Sequence, residues 1–252
     1  MKNPSFDLNV RYLDFDGRKI EIDYISSLCS DELIAYLVEG ITNAKGKTLK
    51  DCLNNGDVKE ELNKENVAER LKDADGIIVP GGFGDRGIAG MIDAIEYART
   101  NKVPLLGICL GMQLITIEYA RNVCGIKDAN SLEFDELCKN PVINLMSDQS
   151  LEDMGGTQRL GDYECQLNPG THAYRLYGKE MIKERHRHRY EVNNEYRDIL
   201  QENGMMLSGC SPDGRIVEMV EIPEHPWFVA TQAHPEFKSR PNKAHPLFKG
   251  FV

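Results

Sequence analysis

The 252-residue chain is 41% hydrophobic and 28% charged, which is enough apolar sequence to bury the core of one large or two small globular domains. Its 40 acidic and 30 basic residues give a net charge of −10, which argues against a general nucleic-acid-binding surface. No apolar stretch approaches the length of a membrane span and the first residues lack a signal-peptide core, so the expected compartment is the cytoplasm.

The N-terminal quarter of the chain predicts a hairpin, a helix and a loop. Residues 9–25 alternate apolar and polar side chains on both sides of Asp16-Gly17, a pattern typical of two strands joined by a tight turn. Residues 31–39 predict a short helix. Residues 42–66 are rich in Asn, Lys, Gly and Glu, which indicates an exposed insertion.

From residue 67 onwards, buried strands and helices alternate. A polar helix ends near Asp75, and residues 76–80 form a short apolar run typical of a buried parallel strand. A helix at 90–99, a second buried strand at 103–108 and a helix at 112–124 follow. This order predicts an α/β unit with a parallel sheet. Two later segments, 214–222 and 227–233, are predicted strands.

The segment 107–111 (GICLG) joins a predicted strand to a predicted helix, as a nucleophile elbow does, with Cys109 in the place of the usual serine. Glycines on either side relieve crowding at such a strained turn. The amides at the helix N-terminus favour a thiolate, and the Leu110 amide is placed to receive an oxyanion. The alternative is a buried structural cysteine, because the seven cysteines are otherwise scattered without a C-x-x-C pair.

A proton partner for the thiol is available at His234, which ends a predicted strand. Glu236 lies two residues further on, and residues two apart in an extended chain face the same way. The carboxylate can therefore orient the imidazole towards Cys109, which predicts a Cys, His, Glu triad.

Two glycine-rich segments resemble phosphate-binding loops. Residues 82–87 fit G-x-G-x-x-G, but the next strand ends in Cys109 where a dinucleotide-binding fold needs an acidic residue. A backbone amide of Gly81 or Gly82 facing the cysteine, as a second oxyanion donor, is the better use of this loop. Residues 40–48 have five residues between glycines where a P-loop has four, so that interpretation is rejected.

The segment 185–193 (RHRHRYEVN) is open to several interpretations. Alternation places Arg185, Arg187 and Arg189 on one face of a strand, with the two histidines between them on the other. A metal site lacks a third nearby ligand, whereas an arginine fork that receives a small carboxylate is chemically reasonable. A solvated edge strand remains an equal alternative.

Five segments in this order resemble class I glutamine amidotransferases and, among them, the glutaminase domains of CTP synthases. The cysteine elbow and the His-Pro-Glu segment are typical of the whole class, and the others of the CTP synthase branch. The resemblance covers roughly residues 67–250, and its segments are 79–87 (VPGGFGDRG), 107–113 (GICLGMQ), 155–161 (GGTQRLG), 184–193 (ERHRHRYEVN) and 234–237 (HPEF).

The resemblance implies a fold and a reaction. The fold is a doubly wound, mainly parallel α/β sheet of flavodoxin type with flanking helices and a small antiparallel part. In the reaction, Cys109 attacks the side-chain amide of glutamine, and His234, oriented by Glu236, protonates the departing ammonia. The amides of Gly82 and Leu110 hold the oxyanion.

The resemblance also implies how glutamine is bound. Glu133 meets the α-ammonium group, and Arg189 with Tyr190 holds the carboxylate, an arrangement that suits a zwitterion. The mobile lid of the family corresponds to residues 155–161, where Gln158 replaces the usual Met. The residues expected to bind substrate are Gly82, Phe83, Leu110, Gly111, Met112, Gln113, Glu133, Arg189 and Tyr190.

In the family, a preceding synthase domain uses ATP and magnesium to aminate UTP with the ammonia, GTP stimulates glutamine cleavage, and the full enzyme is a tetramer. The present 252 residues are expected to be one glutaminase domain without that synthase domain, and to need no metal or cofactor of their own. Residues 1–66 match poorly, although 19–27 resemble the family's second strand.

Three other functions stay open from the sequence. A free-standing hydrolase of another γ-glutamyl compound would share the triad. A non-catalytic interaction module would keep the motifs without forming a thioester. A nicotinamide-dependent oxidoreductase would use the loop at residues 82–87 to bind a pyrophosphate.

Overall fold

A computed structural model describes residues 11–15, 18–26, 33–39, 62–84, 87–145, 159–240 and 242–252. The predictions for the turn at 16–17, the loop at 40–48, most of the insertion at 42–66 and residues 155–158 of the lid lie outside these ranges. The last part of the predicted insertion, residues 62–66, is exposed or half-buried.

Thirteen strands and six α-helices are formed by the described residues. In chain order they are β1 Arg11–Phe15, β2 Arg18–Ser26, β3 Leu33–Glu39, α1 Val67–Leu71, β4 Ile77–Val79, α2 Ile88–Asn101, β5 Leu105–Ile108, α3 Leu110–Asn122, β6 Ala129–Ser131, β7 Asn140–Leu145, β8 Arg159–Leu167, α4 His172–Tyr177, β9 Met181–His188, β10 Tyr190–Val192, α5 Arg197–Glu202, β11 Met206–Cys210, β12 Val217–Glu221, β13 Phe228–Thr231 and α6 Pro246–Phe251.

Three parallel strands form the part of the main sheet that carries the cysteine. β5 pairs in parallel with β4 on one side and with β13 on the other, so Ile108 lies opposite Thr231. All three strands are buried along their whole length, as expected of short apolar runs covered on both faces. The parallel α/β unit predicted from the sequence is confirmed.

The same sheet continues beyond β13 with four antiparallel strands. The strand order is β4-β5-β13-β12-β11-β8-β9, and every pair from β13 to β9 is antiparallel. The α/β fold class is thus confirmed, with a larger antiparallel part than the sequence indicated. A second sheet, β10-β7-β6, lies beside α3 and carries residues of the site.

Helix α3 lies at the centre of the larger hydrophobic core. Every residue from Leu110 to Ala120 is buried, because the helix packs against β4, β5 and β13 on one side and β6 and β7 on the other. A second core forms on the opposite face of the sheet, where α4 and α6 pack together. The β5–α3 junction is therefore held from all sides.

The N-terminal predictions are partly wrong. The predicted hairpin is present, since β1 and β2 pair antiparallel with Phe15 opposite Arg18. The helix predicted at residues 31–39 is instead β3, which pairs with β2; apolar, β-prone residues at 33–38 favour a strand when a partner strand is available. β2 therefore belongs to a separate three-stranded antiparallel sheet, whereas the resemblance of residues 19–27 implied a strand of the main sheet.

None of the helices in the described ranges is both long enough and apolar enough to cross a bilayer.

Candidate active site

Cys109 lies at the turn between β5 and α3 in a strained conformation. Its φ of 51° and ψ of −102° place it, with Lys102, among the non-glycine residues of positive φ in the described ranges. Its backbone N–H donates to the carbonyl of Thr231 at 2.7 Å, which fixes the turn against β13. This is the geometry predicted for a nucleophile elbow.

The glycines beside the elbow are required by close packing. A Cβ on Gly111 would lie 2.1 Å from the backbone oxygen of Val79, and one on Gly107 would lie 2.5 Å from Cδ1 of Ile115. Larger residues would therefore force α3 away from β4 and β5. The predicted reason for the two glycines is thus present in the structure.

His234 follows β13 and is brought to the cysteine. Its Nδ1 lies 2.6 Å from Oε1 of Glu236, and its ring stacks on Phe237. A Cβ placed on Gly81 would lie 2.9 Å from Cε1 of His234 and 3.5 Å from Cβ of Cys109, so both side chains meet over this glycine. The remaining ring atom, Nε2, is buried without a hydrogen-bond partner among the described residues.

The protonation of His234 is set by its two neighbours. Burial lowers the pKa of the imidazole, but the interactions with Cys109 and Glu236 outweigh it and raise the pKa from 6.5 to about 10. The imidazole is therefore a cation near neutral pH, and it can donate a proton to a departing group.

The sulfur of Cys109 has two further polar neighbours. Nε2 of Gln232 donates a hydrogen bond to Sγ at 3.6 Å, and the backbone oxygen of Arg187 lies 3.9 Å from Sγ, where it accepts from the thiol. The sequence analysis did not identify Gln232. Its position two residues before His234, which an extended chain would place on the same side, is the signal that would have found it.

A pocket of about 150 Å³ opens above the sulfur. It is lined by seven of the residues expected to be catalytic or to bind substrate, and by His188, which the sequence analysis did not assign to the site. Leu110, Gly111 and Met112 are not among its lining residues, because the Leu110 and Met112 side chains lie in the hydrophobic core and Gly111 packs on Val79. The lining residues are Gly82, Phe83, Cys109, Gln113, Glu133, His188, Arg189 and Tyr190.

Gly82 and Leu110, the residues expected to hold the oxyanion, lie close to each other, and Leu110 directly follows Cys109. Leu110 is the first residue of α3, where N–H groups have no carbonyl partner within the helix. Gly82 lines the pocket, and a Cβ on it would be 3.1 Å from the Leu110 side chain. The two residues expected to form an oxyanion hole are thus neighbours.

The pocket has an acidic and a basic side chain. Oε1 of Glu133 accepts a hydrogen bond from the Gly84 amide at 3.2 Å. Burial raises the pKa of Glu133, and both that bond and the nearby Arg189 oppose the rise. A pocket with one carboxylate and one guanidinium is suited to a zwitterion.

The arginines of segment 185–193 separate in the structure. Arg189 lines the pocket, Arg187 lies with its guanidinium 5.5 Å above the exposed ring of Phe83, and Arg185 faces solvent. The predicted alternation is correct, since His186 and His188 are buried on the other face of β9. A three-arginine fork is not formed.

Behind β9, the buried histidines belong to a network of charged side chains. Arg159 binds Glu218 at 2.7 Å and lies 3.7 Å from Glu191. Nδ1 of His186 lies 3.0 Å from Nε2 of His188, and the described residues include no group of three or more side chains placed to hold a metal ion. Burial, followed by the charge of Arg159, lowers the pKa of His186 to about 3.

The outer edge of β9 is occupied by residues of the site. Three alternate backbone carbonyls, those of Lys183, Arg185 and Arg187, face away from β8. They accept hydrogen bonds from the Lys238 ammonium group, the backbone N–H of His234 at 2.7 Å and the thiol of Cys109 at 3.9 Å, respectively. β9 therefore positions both reactive side chains.

Comparison with known proteins gives consistent matches. The model of the family "Glutamine amidotransferase class-I" matches residues 47–252. CTP synthase of Carboxydothermus hydrogenoformans is 61% identical over 194 residues, covering 77% of this chain and 36% of the relative. CTP synthase of Microcystis aeruginosa is 49% identical over 245 residues, covering 96% of this chain and 45% of the relative. The chain thus spans less than half the length of these curated relatives.

A solved structure gives the same relationship. The glutaminase domain of Trypanosoma brucei CTPS, with bound acivicin, is 36% identical with a TM-score of 0.69, and the match covers 80% of this chain and 76% of that one.

Proposed function

Because this chain belongs to the class I glutamine amidotransferase family and is homologous to the glutaminase domain of CTP synthase, we propose that it hydrolyses L-glutamine to glutamate and ammonia. The observation that carries the proposal is the meeting of Cys109, which lines a pocket suited to a zwitterion, with the His234–Glu236 pair. The chain acts as the glutaminase portion of a glutamine-hydrolysing CTP synthase.

The first half of the reaction forms a thioester. With the proton of the Cys109–His234 pair held on His234, the sulfur attacks the side-chain carbonyl carbon of glutamine as a thiolate. The negative charge that develops on the carbonyl oxygen is held by the amides of Leu110 and Gly82. His234 then gives its proton to the amide nitrogen, the carbon–nitrogen bond breaks, and ammonia leaves.

The second half of the reaction releases glutamate. His234 accepts a proton from water, and the hydroxide attacks the thioester carbon. The carbon–sulfur bond breaks, glutamate leaves, and Cys109 and His234 return to their starting state. Glu236 keeps the imidazole oriented throughout, through its bond to Nδ1. These steps use water and groups of the chain, so we propose that hydrolysis needs no cofactor.

The pocket residues account for recognition of a free amino acid. Glu133 binds the α-ammonium group, and Arg189 with Tyr190 binds the α-carboxylate; the opposed charges of Glu133 and Arg189 support this assignment. Gln113 is held at the pocket wall by a hydrogen bond from its Nε2 to the backbone oxygen of Tyr190 at 2.9 Å.

The remainder of the activity belongs to a synthase portion beyond these residues. There, we propose, ammonia takes part in the ATP- and magnesium-dependent amination of UTP to CTP, in a tetrameric cytoplasmic enzyme. GTP is the proposed activator of glutamine cleavage. The exposed Phe83 ring, 56% accessible and stacked with Arg187, offers a planar base a surface at the mouth of the pocket.

Labelling with acivicin, the compound bound in the Trypanosoma brucei domain, tests the proposal alongside an ammonia-release assay. We expect a single adduct on Cys109, found by mass spectrometry of peptides and lost in His234→Ala. Cys109→Ser is expected to lower glutaminase kcat at least about a thousandfold. Cys124→Ser, a change outside the pocket, should leave both labelling and turnover unchanged. Labelling spread over several cysteines, or full turnover by Cys109→Ser, would contradict the proposal.

A further inference from the structure

The sulfur of Cys109 has neighbours that favour opposite protonation states. The Arg187 backbone oxygen, 3.9 Å away, can only accept a hydrogen bond and so favours the thiol. The side-chain amide of Gln232, at 3.6 Å, is directed at the same atom. Which end of that amide faces the sulfur decides whether Gln232 favours the thiol or the thiolate.

The orientation of Gln232 follows from its other partner. The side-chain nitrogen of Gln113 must be the atom that lies 2.9 Å from the Tyr190 backbone oxygen, because a carbonyl oxygen cannot donate. The same nitrogen lies 3.4 Å from the Gln232 side chain, which must therefore present its oxygen, Oε1. The nitrogen of Gln232 is then left to face the sulfur as a donor.

Gln232 is held firmly in this orientation. Its side chain is fully buried, with 0% exposure, and its backbone N–H donates to the Glu218 carbonyl at 2.8 Å. Burial excludes water that would otherwise compete for the sulfur, and it strengthens a hydrogen bond to a charged atom. No reorganisation is needed when the thiolate forms.

We propose that Gln232 is a further catalytic residue, whose side-chain N–H stabilises the negative charge on the Cys109 sulfur. The inference rests on the proposed function, in which the sulfur carries that charge twice. It does so before attack on glutamine, when the proton of the Cys109–His234 pair is on His234. It does so again when the carbon–sulfur bond of the thioester breaks and the electron pair returns to sulfur.

The proposal differs from a merely structural role in what it alters. A buried amide that only fills space would change stability when replaced, but not the ionisation of the cysteine. A donor to the sulfur would change the pH dependence of thiolate reactivity and kcat, with little effect on KM, because Gln232 is not among the pocket-lining residues.

The test is the rate of Cys109 alkylation by iodoacetamide from pH 5 to 10, followed by peptide mass spectrometry. The wild-type chain is compared with Gln232→Met, which removes the donor at similar length, and Gln232→Asn, which keeps an uncharged amide but shortens its reach by one methylene. Gln166→Met is the matched control, since Gln166 is exposed on β8 and binds Glu180. The titratable groups at the pocket, His234, His188 and Glu133, are the same in every variant.

For Gln232→Met, we expect the pH of half-maximal alkylation to rise by about one unit, which is about tenfold less thiolate at a given pH, with kcat about tenfold lower and KM within about twofold. Gln232→Asn should shift the profile in the same direction, and Gln166→Met should not. An unchanged profile in a folded Gln232→Met, or an effect on KM alone, would overturn the inference. If the Met variant does not fold, the profile of Gln232→Asn decides.

The alkylation profile needs no turnover, so it separates this inference from the proposed function. Suppose that Gln232→Met shifts the alkylation profile but the wild-type chain releases no ammonia from glutamine. That result would refute the proposed glutaminase activity and leave the role of Gln232 at the sulfur intact.

Discussion

His234 is the residue at which a single proton links stability to chemistry. Its pKa is raised from 6.5 to about 10 because Cys109 and Glu236 favour the imidazolium more than burial disfavours it. Below pH 6.5 the folded and unfolded chains both hold this proton, and the full stabilisation is present. Between pH 6.5 and about 10 only the folded chain holds it, so stability declines as pH rises.

His234→Asn should therefore flatten the alkaline side of the stability profile. In wild type this group contributes a fall of up to about 1.4 kcal/mol per pH unit in the free energy of unfolding between pH 6.5 and 10. The measurement is urea denaturation across that range, with His172→Asn, outside the pocket, as the control. A variant profile as steep as that of wild type would show that the imidazole is not the group responsible.

At the scale of secondary-structure elements, the contact between helix α3 and strand β4 sets the position of the elbow at Cys109. Gly111 places the helix backbone directly against the Val79 carbonyl, and this close approach holds the first turn of α3 below Cys109. The approach leaves no room for a methyl group, so the position of the elbow depends on the absence of one side chain.

Gly111→Ala should separate α3 from β4. We expect a loss of more than about 2 kcal/mol in the free energy of unfolding and a glutaminase kcat reduced at least about a hundredfold, since the Leu110 amide moves with the helix. Gly125→Ala is the matched control, because Gly125 has a positive φ but nothing within 4 Å of its Cβ position. It should cost only about 1–2 kcal/mol and leave kcat unchanged. Equal losses from the two variants would contradict this account.

Elements whose own residues determine their burial and conformation were predicted well from the sequence. The run at β5 is apolar on both faces, which is typical of a buried strand, and the turn after it has glycines where packing demands them. The segment that forms β3 was predicted as a helix because its apolar spacing suits either structure. Pairing with β2, a contact between separate parts of the chain, decided the outcome.

At the scale of the whole molecule, the site rests on a buried network that joins four strands. Arg159 of β8, His186 of β9, Glu191 of β10 and Glu218 of β12 are each at least nine-tenths buried. No local pattern indicates such a cluster, since these four residues come from four strands and the partners lie 27 or more positions away from Arg159. The triad and the pocket residues lie in short recognisable segments and were predicted from the sequence. The network behind them has no such segment and was not predicted.

Acid should destabilise the molecule through this network. The pKa of His186 is lowered to about 3 by burial and by Arg159, and that of His188 is lowered well below 6.5 by burial and by His186. Below pH 6.5 the unfolded chain takes up protons that the folded chain refuses, so stability falls as pH falls. Glu218, whose pKa is raised mainly by burial, acts in the opposite direction.

His186→Gln should reduce the acid slope of the free energy of unfolding by about 1.4 kcal/mol per pH unit between pH 6 and 4. Guanidinium denaturation at fixed pH values measures the slope, and His172→Asn again serves as the reference. The glutamine retains hydrogen-bonding capacity at the buried position. An acid slope identical to that of wild type would refute the assignment to His186.

In the described ranges, β9 is one of the two edge strands of the main sheet. The exposed edge of such a strand is where another polypeptide can pair with the sheet. Here the nucleophile, the base and Lys238 already occupy its alternate carbonyls. Chemistry and protection against aggregation thus depend on the same row of atoms. A change that moves His234 away from this edge would therefore lower solubility as well as turnover.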